Sequence, residues 1–196
     1  GAKRFSLEGL AAIVPFLDSL LNTLAEQGVE HVFLGMAHRG RLTTMWTVFG
    51  SEPQNIFACF EDVDPHSVFG AGDVKYHLGA TGNYITQTGK KIRLNLASNP
   101  SHLEAINPVV MGSTRSLQER LGPEGSRKVV SIIIHGDAAF AGQGISSECL
   151  NLSNVRGYAI GGTIHLNANN LIGFTAPFES CISSRFSTDV AKRLPI

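Results

Sequence analysis

Val129-Val130-Ser131-Ile132-Ile133-Ile134, followed at once by His135-Gly136-Asp137-Ala138, is the stretch that decides the fold. It is β-branched and apolar at odd and even positions alike, the mark of a parallel strand covered by helices on both faces. It is therefore placed at the centre of a sheet. A Gly-rich turn, a helix over about 145–155 and a second strand over 162–168 follow, and together they make a β-loop-α-β unit with a right-handed connection. Asn169-Asn170 stands directly after the second strand, as Gly136-Asp137-Ala138 stands after the first.

Upstream of this unit, Leu10, Ile13, Val14, Leu17, Leu20, Leu21 and Leu24 fall on one face at helical spacing, with Ser6 as the expected N-cap and Gly28 as the stop. A short buried strand is expected over 31–36. The loop His38-Arg39-Gly40-Arg41 comes next, then helices over 42–49 and from Ser51-Pro53 to Phe60. Residues 61–89 are rich in Gly, His, Asp and Thr without periodicity, and so long an irregular segment is often functional. Alternation predicts a strand over 91–97, and Asn99-Pro100-Ser101 punctuates the chain before a helix over about 109–121. The sum is a three-layer α/β/α fold with a mainly parallel sheet, one domain spanning 1–196.

The composition agrees with a packed globular chain: 196 residues, 43% hydrophobic and 16% charged. Sixteen basic side chains balance sixteen acidic ones, so no cationic excess exists to neutralise a nucleic-acid backbone. Cys59, Cys149 and Cys181 lack metal-type spacing and are odd in number, as expected of reduced thiols in a cytoplasm or an organelle matrix. No apolar run approaches the roughly 18 residues of a membrane span, and no signal-peptide layout is present. The opening Gly1-Ala2-Lys3-Arg4 and the closing Leu194-Pro195-Ile196 lead to the expectation of a piece excised from something longer.

The two strand ends carry the chemistry. In open α/β sheets ligands bind at the carboxyl ends of the strands, where a helix N-terminus also favours phosphate. Mg²⁺ takes about six oxygens, usually a few from protein and the rest from phosphate and water. Asp137 and Asn170 can supply two of these and the carbonyl of Ile172 a third, while Gly142-Gln143-Gly144 leaves room for close approach. A plainer account fits the same residues: an Asp that caps a helix and an Asn pair that makes a turn. Neither a P-loop nor a Gly-x-Gly-x-x-Gly signature is present.

Five blocks in order add to this reading: Arg4-Phe5-Ser6-Leu7-Glu8-Gly9, Gly35-Met36-Ala37-His38-Arg39-Gly40-Arg41-Leu42, Gly72-Asp73-Val74-Lys75-Tyr76-His77-Leu78-Gly79, Asn99-Pro100-Ser101-His102-Leu103-Glu104 and His135-Gly136-Asp137-Ala138-Ala139-Phe140-Ala141-Gly142-Gln143-Gly144. From about Lys3 to Lys192 the chain resembles the thiamine-diphosphate-dependent decarboxylase component of the 2-oxoglutarate dehydrogenase complex, in its first catalytic region. The resemblance implies that Asp137, Asn170 and the carbonyl of Ile172 hold Mg²⁺ on the cofactor's diphosphate. It places Arg39 on the diphosphate, lines the cofactor with Ser101, Leu103, Ala138 and Ala139, and sets His38, His77 and Ser101 against a 2-oxo dicarboxylic acid. His38 and His77 would be the catalytic pair. It further implies oxidative decarboxylation with acyl transfer to a lipoyl-lysine of a dihydrolipoyl succinyltransferase. A homodimer is implied as well, in the cytoplasm of a bacterium or the mitochondrial matrix of a eukaryote. An activating Glu would come from a second lobe outside these residues, leaving the chain alone inactive.

Two positions depart from the family pattern. Leu171 replaces a polar residue in Asn169-Asn170-Leu171-Ile172-Gly173-Phe174, and Ile182 falls where an Arg is common, with Arg185 three residues on. A homologue acting on 2-oxoadipate shares every block quoted, and a non-catalytic domain of this fold or a generic phosphate-binding α/β protein are the competing readings. Residue by residue the plain alternatives are a solvated or structural role for each histidine, His31, His66 and His165 being assigned there. Arg39, Arg41 and Lys75 read alternatively as surface cations, and His102 and Glu104 as first-turn helix residues.

Overall fold

A computed structural model describes residues 5–61, 75–173 and 175–195. His66, the first residues of the Gly72–Gly79 block and Phe174 lie outside the described residues, as does most of the irregular segment.

The elements run α1 (Ile13–Glu26), β1 (His31–Met36), α2 (Arg41–Thr47), α3 (Pro53–Glu61), β2 (Ala80–Ile85), β3 (Lys91–Leu96), α4 (Ile106–Arg120), α5 (Gly125–Lys128), β4 (Val129–Gly136), α6 (Asp137–Gly142), α7 (Gly144–Asn151), β5 (Thr163–Ala168), β6 (Ile172–Gly173) and β7 (Ala176–Pro177). Five strands form one sheet in the order β2-β3-β1-β4-β5. All neighbours are parallel except β2 and β3, which make an antiparallel hairpin. The expected three-layer, mainly parallel architecture is what forms.

The alternation of side chains along the strands divides the core. On one face Val32, Leu34, Ile92, Leu94, Ile132 and Ile134 pack with Leu17, Leu21 and Leu24 of α1. On the other, Phe33 and Ile133 pack with Ile106 and Val110 of α4. None of the helices among the described residues is long and apolar enough to cross a membrane.

Several expectations are corrected. The middle strand is β1 rather than β4, which lies between β1 and β5; an apolar β-branched run reports coverage on both faces, and two neighbouring strands share that. The first helix starts at Ile13 rather than after Ser6, whose hydroxyl bonds the Glu8 carboxylate at 2.9 Å. Pro15 thereby falls in the first turn, where its missing N–H has no intrahelical partner to lose. Pro108 sits likewise in the first turn of α4, which begins at Ile106. The Gly-rich turn after β4 is itself helical, as α6, and α7 ends at Asn151. Strand β2 was not foreseen in 61–89. It is an edge strand whose Gly82 lies against the backbone of Phe49, where a Cβ would stand 2.6 Å from the carbonyl oxygen.

Candidate active site

The register of the parallel strands determines what meets at the carboxyl edge. Met36 pairs with Ile134, Leu34 with Leu96 and Gly136 with Ala168, so four strands end side by side. Strand β1 runs out into His38 and Arg39, β3 into residues 97–105 with Ser101 and Leu103, β4 into Asp137, Ala138 and Ala139, and β5 into Asn169, Asn170 and Ile172. His77 joins them from the turn before β2.

Two groups of these residues are assembled. In the first, the His38 and His77 rings lie 5.3 Å apart between centroids, and Ser101 Oγ is 3.0 Å from His77 Nε2. The N–H of Asn99 donates to the carbonyl of His77 at 3.0 Å. Burial holds the His38 pKa below its ordinary value, and the neighbouring His77 and Arg41 push the same way. Its Nε2 is buried without a hydrogen-bond partner among the described residues.

In the second group Asp137 opens α6 with 2% of its surface exposed, and its Oδ2 is buried without a partner. The N-cap of α6 is Gly136, so Asp137 is the first helical residue rather than the cap that the plainer account makes of it. Asn169 does behave as a turn residue, its Oδ1 accepting the N–H of Leu171 at 2.8 Å. Leu171 is 64% exposed and adopts a left-handed φ of 62°. It leads into β6, whose Gly173 lies against Ala138 of α6. Asn170 is half-buried beside them. Asp137 thus follows the end of β4, and Asn170 and Ile172 follow the end of its neighbour β5; carboxylate, amide and carbonyl oxygens are donor types that a hard cation takes. Among the described residues there is no group of three or more His, Cys, Asp or Glu placed to hold a metal.

Arg39 does not turn toward either group; its guanidinium donates to the carbonyl of Ser6 at 3.1 Å. Leu103 is 55% exposed. Arg41 is no surface cation. It is fully buried and donates to the carbonyls of Met36 (3.2 Å), Leu78 (2.7 Å) and Ala97 (2.5 Å), fastening β1 and β3 to the segment bearing His77. Burial lowers its pKa to about 10, leaving it charged at neutral pH. Ile182 follows the turn Phe178–Ser180, and Arg185 lies over the ring of Phe186 at 5.3 Å.

A buried polar network behind the site was missed from sequence. Glu104 is a turn residue rather than the start of a helix, with φ 64° and a buried carboxylate. Its Oε2 accepts from His135 Nδ1 (2.5 Å), Asn107 Nδ2 (2.7 Å) and Ser146 Oγ (3.1 Å). Burial alone would raise the Glu104 pKa; these three donors, His135 foremost, bring it below the usual carboxylate range. His135 Nε2 in turn lies 2.8 Å from Nδ1 of His165, whose pKa burial lowers to about 4. The signal that could have found the network is a period-two polar stripe. Thr163, His165 and Asn167 alternate along one face of β5, opposite Ser131, Ile133 and His135 of β4, and Ser131 Oγ meets Thr163 Oγ1 at 2.7 Å.

A mainly parallel sheet whose strand ends carry a buried carboxylate oxygen and a buried imidazole nitrogen without partners among the described residues has the layout of a ligand-binding α/β domain. Residues 2–196 match the family described as Dehydrogenase E1 component, and the chain belongs to that family. It is 49% identical, over 99% of its length, to the multifunctional 2-oxoglutarate metabolism enzyme of Mycolicibacterium vanbaalenii, and 47% identical, over 98%, to the 2-oxoglutarate dehydrogenase E1/E2 component of Corynebacterium glutamicum. The chain spans 16% of the length of each of these relatives.

Proposed function

We propose that this domain is the diphosphate- and metal-binding lobe of a 2-oxoglutarate dehydrogenase decarboxylase component. The whole enzyme would pass the succinyl group to a lipoyl-lysine on a dihydrolipoyl succinyltransferase. The observation that carries the reading is the pair of buried atoms without partners among the described residues, Asp137 Oδ2 and His38 Nε2, each just past the carboxyl end of a parallel strand. That both relatives are named for 2-oxoglutarate supports this substrate, and the E1/E2 name of one supports a succinyltransferase as partner. A homodimer belongs to the same proposal, as does the compartment of the 2-oxo acid oxidising enzymes, cytoplasm or mitochondrial matrix.

Asp137, Asn170 and the carbonyl of Ile172 would hold Mg²⁺. Ser101, Leu103, Ala138 and Ala139 would line the cofactor, with Arg39 swinging from Ser6 to the diphosphate. Thiamine diphosphate supplies, when bound, the electron sink that decarboxylation of a 2-oxo acid needs. His38 and His77 orient the substrate. Burial favours the neutral form of His38, and its backbone hydrogen bond to Pro100, whose only backbone polar group is a carbonyl, leaves the buried Nε2 to accept a proton or a hydrogen bond. His77 has its Nε2 tied to Ser101, which fixes the plane of the ring.

The test is a calorimetric titration of thiamine diphosphate into the full-length protein with and without Mg²⁺. Metal-dependent binding, lost in Asp137→Ala and in Asn170→Ala, is the expected result, together with turnover of 2-oxoglutarate in preference to 2-oxoadipate. Binding that survives both substitutions would leave only a generic phosphate site.

A further inference from the structure

Residues 97–105 leave β3 and pass through the site before α4 begins, and they are held at both ends. At one end the Asn99 N–H and the Ser101 hydroxyl both meet His77, at 3.0 Å each. At the other end is Glu104. Its backbone takes a left-handed φ of 64°, a conformation that a residue with a Cβ keeps only where its surroundings impose it. The imposing contacts come from three separate elements: Asn107 of α4, His135 of β4 and Ser146 of α7 all donate to the same carboxylate oxygen. The side chain is 4% exposed and that of His135 is fully buried.

A helix-capping role does not account for this arrangement. The N-cap of α4 is Ala105, and no side chain caps the helix. The carboxylate instead takes the side-chain amide of Asn107, while the Asn107 N–H goes to the Glu104 carbonyl. Because the carboxylate accepts at Nδ1 of His135, it also sets the face that ring presents to His165, whose Nδ1 is 2.8 Å from His135 Nε2. Glu104 thus joins the loop that bears Ser101 to the two strands whose ends carry Asp137 and Asn170.

We propose that Glu104 is a positioning residue: by anchoring the 99–104 loop to β4 and α7, it fixes Ser101 against His77 and so shapes the substrate side of the site. The catalytic part of this inference rests on the reading of His38, His77 and Ser101 given above, whereas the anchoring part does not.

The experiment is hydrogen exchange read by mass spectrometry on the full-length protein, with steady-state kinetics on the same samples. In Glu104→Ala, exchange should rise at least tenfold in peptides covering 99–104 and also in those covering 76–79, with the body of α4 and β4 unchanged. KM for 2-oxoglutarate should rise at least tenfold while kcat stays within threefold, and Glu104→Gln, which keeps an acceptor in place, should recover most of both. Where Glu104→Ala does not fold, Glu104→Gln carries the test through a smaller rise, about threefold, in the same two peptides. Faster exchange confined to the first turn of α4, with 76–79 unchanged, would overturn the proposal, as would an equal fall in kcat without change in KM. A wild-type protein that binds no thiamine diphosphate would sink the functional reading, and exchange at 76–79 would still decide the anchoring role of Glu104.

Discussion

Gly173 of β6 approaches Ala138 of α6 so closely that a Cβ on Gly173 would stand 2.8 Å from that of Ala138 and 2.6 Å from the sulfur of Cys181. This contact sets β6, with Ile172 next to Gly173, beside the helix that Asp137 opens. Gly173→Ala must push β6 away from α6, at a cost of about 1–3 kcal/mol for overpacking. Urea unfolding should register that loss, and Mg²⁺-dependent binding of thiamine diphosphate should weaken at least tenfold. Unchanged affinity would show that the approach of β6 is irrelevant to the site.

Asp137→Asn separates stability from function. The wild-type carboxylate is buried with an oxygen that nothing in the described residues satisfies. Removing its charge should stabilise the ligand-free protein by about 1–2 kcal/mol, since an unpaired buried charge is costly. Thermal unfolding without ligand should therefore move upward while metal-dependent cofactor binding is lost. A downward shift would mean that the carboxylate already has a stabilising partner.

Arg41→Met leaves the carbonyls of Met36, Leu78 and Ala97 buried without their donor. Breaking such a set costs about 3–5 kcal/mol. Arg41→Lys should recover less than half of it, because an ammonium cannot span acceptors that the planar guanidinium reaches together. Denaturant midpoints of the three proteins measure this, and a lysine variant as stable as wild type would refute it.

His165 gives a pH dependence with a definite sign. Burial is the main cause of its lowered pKa of about 4, and His135 adds to it. Between about 6.5, the ordinary value, and about 4 the unfolded chain takes up a proton that the folded one refuses. Stability is therefore full above that window and declines as pH falls through it, by at most about 3 kcal/mol. His165→Gln should flatten the profile between pH 6.5 and 4 in equilibrium unfolding; an unaltered slope would assign the acid sensitivity elsewhere.

Much of this architecture was written in local pattern. The strands β1, β3, β4 and β5 follow from their apolar runs, and Asp137 and Asn170 stand out because they come directly after two of those runs. What escaped was set by tertiary partners. Strand β2 has the sequence ATGNYI, in which no apolar face alternates cleanly, and it forms because β3 offers it an edge. Arg41 reads as a solvated cation until three carbonyls from distant segments converge on it. Glu104 reads as a helix residue because its left-handed backbone is imposed by His135, Asn107 and Ser146 rather than by its neighbours in the chain. The network around it leaves a faint trace in the polar stripe of β4 and β5, visible only once the two strands are known to be adjacent.

The position of β1 in the sheet has a consequence for how the chain is made. Val32 pairs with Leu94 on one side and Val130 on the other, so the middle strand emerges from the ribosome long before either neighbour exists. Such distant pairings fold slowly, and a nascent apolar strand with both edges open is liable to associate with other chains. The helices α1 and α2 flank it in sequence and belong to the same core cluster, so the apolar partners made next to it in time are helical rather than the strands that finally border it.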